Sequence, residues 1–295
     1  MAIAESKIPR HGPETPPATK PENVPTIRIE HTHGWLALGL RDLWEHRELL
    51  YFLVWRDVKV RYKQTLLGAA WAILQPVMTM VIFTVLFNFI AKMPSDGFPY
   101  PIFSFAALLP WTYFSGALGR VTSSVVGNAQ LVSKVYFPRL IIPLAGVVSG
   151  LVDFAISFVV LIAMMFYYRI HPTWAILTLP IFLLLATATA LGIGLWLAAL
   201  NTRYRDVGYI IPFIIQFWMY ACPVIYAVSA VPQKWRLLYS LNPMVGVIEG
   251  FRWALLGNTH PDFGVMAVSS IILLILLFGG IVYFKRMERT FADLV

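Results

Sequence analysis

The sequence predicts an all-α integral membrane protein with about six transmembrane helices, an N-terminal amphipathic interface helix and re-entrant helices before the last span. Of the 295 residues, 58% are hydrophobic and 13% charged, against about 45–50% and about 25% in soluble domains. The mean hydropathy is +0.69. Several uncharged runs approach the roughly 20 residues that a helix needs to cross a bilayer. Together these observations exclude a soluble single-core enzyme and a disordered chain.

The N-terminal part divides into two segments. Residues 1–33 hold six prolines among polar residues and are predicted to form a disordered cytoplasmic tail. They lack the apolar core of a secretory signal peptide. Residues 34–64 interleave apolar and basic side chains, which is typical of a helix lying in the membrane interface. A helix docked on a soluble partner is the alternative.

A transmembrane permease domain is predicted over 65–289, followed by a cytoplasmic C-terminus at 290–295. Its apolar runs are 66–91, 101–119, 140–168, 174–200, 207–228 and 263–284. Residues 229–262 are too polar to span cleanly and too apolar for a solvated loop. Helix breakers within that stretch are Pro232, Asn242, Pro243 and Gly257. Short re-entrant helices buried by protein satisfy both demands.

Basic residues are distributed unequally between the links that join the spans. One set of links and the C-terminal tail carries Lys134, Arg139, Arg203, Arg205, Lys285, Arg286 and Arg289. The opposite links are poorer in Lys and Arg for their length. The positive-inside rule therefore places both termini in the cytoplasm, in agreement with an even number of spans. The net charge of +8 then indicates contact with membrane lipids and no nucleic acid.

Motifs for bond chemistry are missing from the sequence. The dipeptide Gly-Lys of a Walker A motif does not occur, nor do HExxH, a clustered Cys/His set or GxSxG. The single cysteine, Cys222, lies in an apolar run and is interpreted as a small hydrophobe. We therefore predict no catalytic residue and no metal site. The expected activity is transport rather than catalysis.

Three blocks, in order, point to a known family. They are RDVKVRYKQTLLGAAWAILQP at 56–76, NAQLVSKVYFPRLIIPLA at 128–145 and NPMVGVIEGFRWALLG at 242–257. Over roughly 36–289 the chain resembles the ABC-2 type permease subunit of ABC exporters for bacterial surface polysaccharides. Members of that family export O-antigen, capsule or teichoic acid polymers.

The resemblance implies partners and a substrate. A second copy of the chain forms a homodimer, and two ATP-binding cassette subunits supply ATP and Mg, so that no cofactor lies on this chain. The cargo is a polyprenyl-pyrophosphate-linked polysaccharide, with O-antigen as the first expectation, exported across the bacterial inner membrane to the periplasm. A permease for a drug or small lipid is one alternative. Another is a membrane enzyme that modifies polyprenyl-linked glycan, although Asp206 stands alone where such an enzyme needs clustered acids.

Contact with the ATPase is assigned to two segments. The family gives a short cytoplasmic helix at 128–139 the coupling role, and the interface helix adds residues on its wet face. From the residues alone, 128–139 is equally an interfacial loop with anchoring basic side chains. The candidate coupling residues are Trp44, Glu45, Asn128, Lys134, Tyr136, Phe137 and Arg139.

Aromatic residues make up 15% of the chain. A single aromatic near a membrane edge usually anchors or packs. As a set they can line a path, because sugar C–H faces stack on rings without binding at fixed hydrogen bonds. The candidates for this path are Trp71, Phe83, Phe87, Trp111, Tyr113, Phe114, Phe213, Phe217, Trp218, Tyr220 and Tyr226.

Charged and small residues inside the apolar segments give further expectations. Glu249 and Arg252, beside Trp253, have i,i+3 spacing; they either form an internal salt bridge or guide a glycan or pyrophosphate at the channel exit. Asp153 is expected to bond a nearby Ser, Thr or carbonyl, with an ion relay as the alternative. Four glycines are expected to permit close helix contact, namely Gly146, Gly150, Gly192 and Gly194.

Overall fold

The structure is a computed structural model that describes residues 40–63, 68, 70–257 and 262–291. Over these ranges the regular structure is helical throughout, and five helices are long and apolar enough to cross a membrane. They are Ala70–Ile90, Tyr100–Gly127, Ile141–Tyr167, Trp174–Arg203 and Phe263–Glu288. The prediction of an all-α integral membrane protein is confirmed. The predicted tail at 1–33 lies outside the described residues.

Eleven α-helices are numbered here in chain order within the described ranges. They are α1 (Leu40–Glu45), α2 (Arg47–Lys63), α3 (Ala70–Phe83), α4 (Tyr100–Gly127), α5 (Ala129–Lys134), α6 (Ile141–Tyr167), α7 (Leu179–Arg203), α8 (Val207–Tyr220), α9 (Gln233–Ser240), α10 (Pro243–Leu256) and α11 (Phe263–Glu288). A π-helix at Thr84–Ile90 continues α3, and a 3₁₀-helix at Trp174–Thr178 leads into α7.

Helix α4 forms the centre of the bundle. It packs against α3, α6, α7, α8 and α10, and most of its side chains are buried. The sequence explains this position, because α4 carries no charge up to Gly119 and is mostly apolar, so it can be buried on several sides. Its aromatic rings form much of the main core.

The fifth predicted span, 207–228, is not continuous. Helix α8 ends at Tyr220 after 14 residues, or about 21 Å of rise, which is short of the roughly 30 Å bilayer core. Pro223 disfavours a helical conformation at Cys222 and cannot donate a backbone hydrogen bond, so the chain turns there. A count of six spans is therefore not confirmed.

The stretch before the last span breaks where the sequence predicts. Helix α9 begins directly after Pro232, and α10 begins at Pro243. The side chain of Asn242 caps α10 by accepting from the Met244 amide at 3.1 Å. Gly257 ends α10 with a positive φ of 73°, a conformation that glycine adopts readily. Re-entry of these two helices into the membrane stays a prediction.

Of the four glycines expected to permit close contact, Gly192 lies against a backbone and Gly150 against a side chain. At Gly192 on α7, a Cβ atom would lie 2.8 Å from the Leu277 Cα of α11, so α7 and α11 meet backbone to backbone. At Gly150 on α6, an added Cβ would collide with the guanidinium of Arg120. The predicted close contacts therefore exist within this chain.

One end of the bundle gathers the segments predicted to be cytoplasmic. A second apolar cluster joins α2, the end of α4, α5, the start of α6 and the ends of α7 and α11. Its central members are Leu53, Val125, Val132, Phe137, Ile141, Leu195 and Phe284. We call this end the α5 end. The helix connectivity agrees with the predicted topology, in which these segments share one side of the membrane.

Candidate functional site

A cavity of about 300 Å³ lies between α2, α3, α4 and α6. We call it the Asp153 pocket. Its polar lining consists of Arg61, Tyr62, Gln75, Thr112, Ser115, Arg120, Asp153 and Ser157, and its aromatic lining of Trp71, Tyr113 and Phe154. Helix α3 is held against α6 here, because the Ser157 hydroxyl donates to the Ala72 carbonyl at 2.8 Å. The pocket thus combines charged groups and ring faces within the bundle.

Asp153 ties helix α2 to α6. Its carboxylate accepts hydrogen bonds from the Arg61 guanidinium and from the Tyr62 hydroxyl, and it forms an ion pair with Arg61. Burial, followed by the hydrogen bond to Asp153, raises the pKa of Tyr62 to about 12. The phenol therefore stays protonated and remains a donor at neutral pH. A structural role was expected for Asp153, but its partners are these side chains rather than a Ser, Thr or carbonyl.

Replacing Asp153 with asparagine is expected to leave transport intact, because the amide oxygen still accepts from Tyr62. Stability should fall by about 1 kcal/mol, since the Arg61 ion pair is only partly shielded from water. Asp153→Ala, which also removes the acceptor, should lower the melting temperature further. Export and melting temperature measured on the same membranes test both statements. Loss of export by Asp153→Asn at normal abundance would instead indicate an ion relay.

Arg120 is the second cation of the Asp153 pocket. Its Nε donates to the Gly146 carbonyl of α6 at 2.7 Å. Gly150 and Gly116 leave room for the guanidinium, whose NH1 would be 3.1 Å from a Cβ at Gly116. Sequence reasoning missed Arg120 as a site residue. The available signal was a charge directly after the uncharged run 101–119, within the same helix α4.

The predicted coupling residues divide into an exposed and an internal group. Trp44, Glu45, Lys134 and Tyr136 are exposed, Tyr136 by 88%. Phe137 is 5% exposed and belongs to the apolar cluster at the α5 end. Asn128 and Arg139 are partly buried and bonded to other residues of the chain. The exposed group offers the largest accessible surface for a partner.

The internal coupling residues connect α5 to its surroundings. The side chain of Asn128 accepts from the Arg56 guanidinium of α2 at 2.9 Å and donates to the Ser124 carbonyl at 2.8 Å. The Arg139 backbone amide donates to the Glu288 carboxylate of α11 at 3.1 Å. These contacts position α5 between α2 and α11.

The aromatic candidates also separate by exposure. The buried ones, which pack within the protomer, are Phe83, Trp111, Tyr113 and Phe114. Partly buried are Phe87, Trp218 and Tyr226. The exposed ones are Trp71, Phe213, Phe217 and Tyr220. Trp71 and Tyr113 both line the Asp153 pocket. Phe213, Phe217 and Tyr220 share one face of α8 with the exposed Tyr209.

Arg252 and Glu249, which both lie in the described part of the chain, form no ion pair within 4.0 Å. Its guanidinium donates to three backbone carbonyls and lies 3.7 Å from the centroid of the Phe103 ring. The three acceptors are Phe103, Val224 and Tyr226. Arg252 is 1% exposed and Glu249 8%. The expected salt bridge is therefore wrong, and the arginine instead holds the turn after α8.

Trp253 completes the predicted exit group. It is partly buried, and its ring packs edge-on against Trp174, Phe182 and Phe263, with centroid distances of 5.8, 6.4 and 6.0 Å. These partners come from the 3₁₀-helix before α7, from the start of α7 and from α11. Trp253 therefore contributes to packing at the end of the bundle opposite α5.

Comparison with known proteins identifies the family to which the chain belongs. Residues 48–256 match the ABC-2 type transporter family. The chain is 29% identical over 256 residues to the O-antigen export system permease protein RfbA of Myxococcus xanthus, covering 86% of this chain and 98% of that protein. RfbA of Klebsiella pneumoniae is 27% identical over 252 residues, 84% of this chain and 95% of that protein. The polysialic acid transport protein KpsM of Escherichia coli is 22% identical over 243 residues, 79% of this chain and 91% of that protein. Because the family match covers more than half of the sequence, the chain belongs to the ABC-2 type transporter family.

Proposed function

We propose that this chain is the membrane subunit of an ATP-driven exporter that moves a lipid-linked polysaccharide, of the O-antigen type, from the cytoplasm to the periplasm. Two copies form the path, and two separate ATP-binding subunits hold ATP and Mg. The chain lies in the bacterial inner membrane with both termini in the cytoplasm. The observation that carries the proposal is the near full-length match to permeases named for O-antigen export.

The α5 end provides the surface for the ATP-binding subunit. Tyr136 and Lys134 project beside α5, and Trp44 is 73% exposed on α1. Tyr and Trp are enriched among the residues that contribute most to binding at protein interfaces. Internal contacts of Asn128 and Phe137 hold α5 in place, so force applied to the exposed group reaches α2 and α6.

Tyr136→Ala is expected to weaken the ATP-binding subunit's association by roughly tenfold or more, as truncation of a central interface aromatic usually does. Permease-stimulated ATP hydrolysis should fall, while the chain itself stays folded because Tyr136 is exposed. Tyr167→Ala is the matched control, since Tyr167 is 80% exposed at the other end of α6. Co-purification and ATPase assays check this. An unchanged ATPase rate with Tyr136→Ala would contradict the coupling role.

An aromatic face on α8 is the proposed contact for the glycan. Tyr209, Phe213, Phe217 and Tyr220 follow a spacing of four, four and three residues and so lie on one side of the helix. Ring faces offer sugars a large contact area without fixed hydrogen bonds, which suits a polymer that must slide. We place this face toward the path between two protomers.

The experiment that tests the function is deletion of the gene in its native host, followed by complementation. Loss of the permease should leave the lipid-linked glycan in the cytoplasm and remove the polymer from the surface. The wild-type gene should restore glycan export and the surface polymer. It should not restore them in a strain whose partner ATPase cannot hydrolyse ATP. Normal surface polysaccharide with impaired efflux of a drug or small lipid would overturn the assignment.

A further inference from the structure

The Asp153 pocket holds one cation more than its own side chains neutralise. Arg61 and Arg120 both line it, and Asp153 is its one carboxylate among the described lining residues. The carboxylate is already engaged by Arg61 and Tyr62. A lone charge within a membrane protein is costly unless it meets a counter-charge or water. The excess charge therefore falls on Arg120.

The geometry directs this excess charge into the cavity. The hydrogen bond of Arg120 to the Gly146 carbonyl uses only Nε. In the described part of the chain, neither terminal nitrogen has a hydrogen-bond acceptor, and no carboxylate lies within 4.0 Å of the guanidinium. Gly116 and Gly150 have no side chains that would fill the space around it. The two free terminal nitrogens form the fork that binds a phosphate group in two parallel hydrogen bonds.

The remaining lining suits a phosphate that carries a sugar. The volume of about 300 Å³ is at the lower end of small-ligand sites, large enough for a headgroup and too small for a polymer. Trp71, which is 52% exposed, and Tyr113 offer ring faces. Gln75 of α3 and Thr112 of α4 add polar groups to the lining. Arg61 also lines the pocket.

We infer that the Asp153 pocket binds the diphosphate of a polyprenyl carrier lipid, with the free terminal nitrogens of Arg120 as the main contact and Arg61 as the second. The inference rests on the proposed function, since it assigns the headgroup of that function's substrate to a site in each protomer. A phospholipid headgroup offers the same phosphate chemistry, and the test below separates the two sources.

Binding to the full chain in nanodiscs provides the test, measured by native mass spectrometry with four probes: undecaprenyl diphosphate, undecaprenyl monophosphate, undecaprenol and phosphatidylglycerol. The diphosphate should bind most tightly. Arg120→Gln should weaken it by about tenfold or more. Arg205→Gln, an exposed arginine on another link, is the matched control and should have no effect.

A second measurement keeps the inference testable if Arg120→Gln fails to fold. A photoreactive undecaprenyl diphosphate should cross-link the wild-type chain within α3, α4 or α6 at the pocket wall. Cross-links confined to other segments, equal binding of phosphatidylglycerol, or full binding by a folded Arg120→Gln would each overturn the assignment. The export assay is independent of these results. Normal export after gene deletion would refute the proposed function while the cross-link still reports the site.

Discussion

Arg252→Gln is expected to prevent the chain from accumulating in the membrane. Arg252 is buried, and its guanidinium donates to the carbonyls of Phe103, Val224 and Tyr226. A hydrogen bond from a charged group contributes about 1.5–3 kcal/mol, and each buried acceptor left without a donor carries its own penalty. We expect a loss of about 3 kcal/mol or more, together with the loss of the ring contact to Phe103.

A graded set of variants separates this role from a general effect of removing positive charge. Arg252→Lys keeps the charge but not the planar fork, so it should rescue abundance only in part. Arg205→Gln removes an exposed arginine and should accumulate normally. Membrane abundance and melting temperature by fluorescence-detected size exclusion provide the measurement. Wild-type stability of Arg252→Gln would show that the turn after α8 does not depend on this side chain.

Gly192→Ala is expected to destabilise the contact between α7 and α11. The new Cβ would lie 2.8 Å from both the Cα and the backbone nitrogen of Leu277, and a backbone cannot rotate away as a side chain can. Overpacking of this kind costs about 1–3 kcal/mol. Gly280 faces the same contact from α11, where an added Cβ would collide with the Gly192 carbonyl. Gly280→Ala should therefore have a similar effect.

The matched control for this prediction is a Gly→Ala change that should raise stability rather than lower it. At Gly119 on α4, an added Cβ meets no atom within 4 Å. Gly119→Ala should therefore stabilise α4 by about 0.5–1 kcal/mol, since alanine is the better helix former. Melting curves of the three variants in one detergent compare them directly. A lower melting temperature for Gly119→Ala than for Gly192→Ala would refute the role assigned to the close backbone contact.

The sequence was sufficient where local composition or backbone chemistry decides the outcome. The five candidate spans coincide with uncharged or nearly uncharged runs, because a bilayer core tolerates few charges. The boundary at Asn242 and Pro243 and the end at Gly257 follow from capping and from a positive φ. Pro223 is a local signal for the early end of α8. It was overlooked because the uncharged run 207–228 is long enough to span a membrane.

The contacts within the bundle depended on tertiary packing that no local pattern contains. Arg61 and Asp153 are 92 residues apart, so their pairing follows from how α2 lies on α6. Glu249 and Arg252 have the spacing of a pair, yet the carbonyls left unpaired by the turn after α8 attract the arginine instead. Trp111 and Phe114 could not be assigned a face, because apolar residues surround them on most sides of α4.

Helix α2 is fastened to the bundle at two places along its length. Arg56 reaches Asn128, at the junction of α4 and α5, and five residues later Arg61 reaches Asp153 on α6. Five helical residues form a rod of about 7.5 Å. We expect a sideways shift of α5 to move this part of α2 with it, because both contacts would otherwise have to break. Such a shift would then reach Arg61 and Asp153, which line the Asp153 pocket.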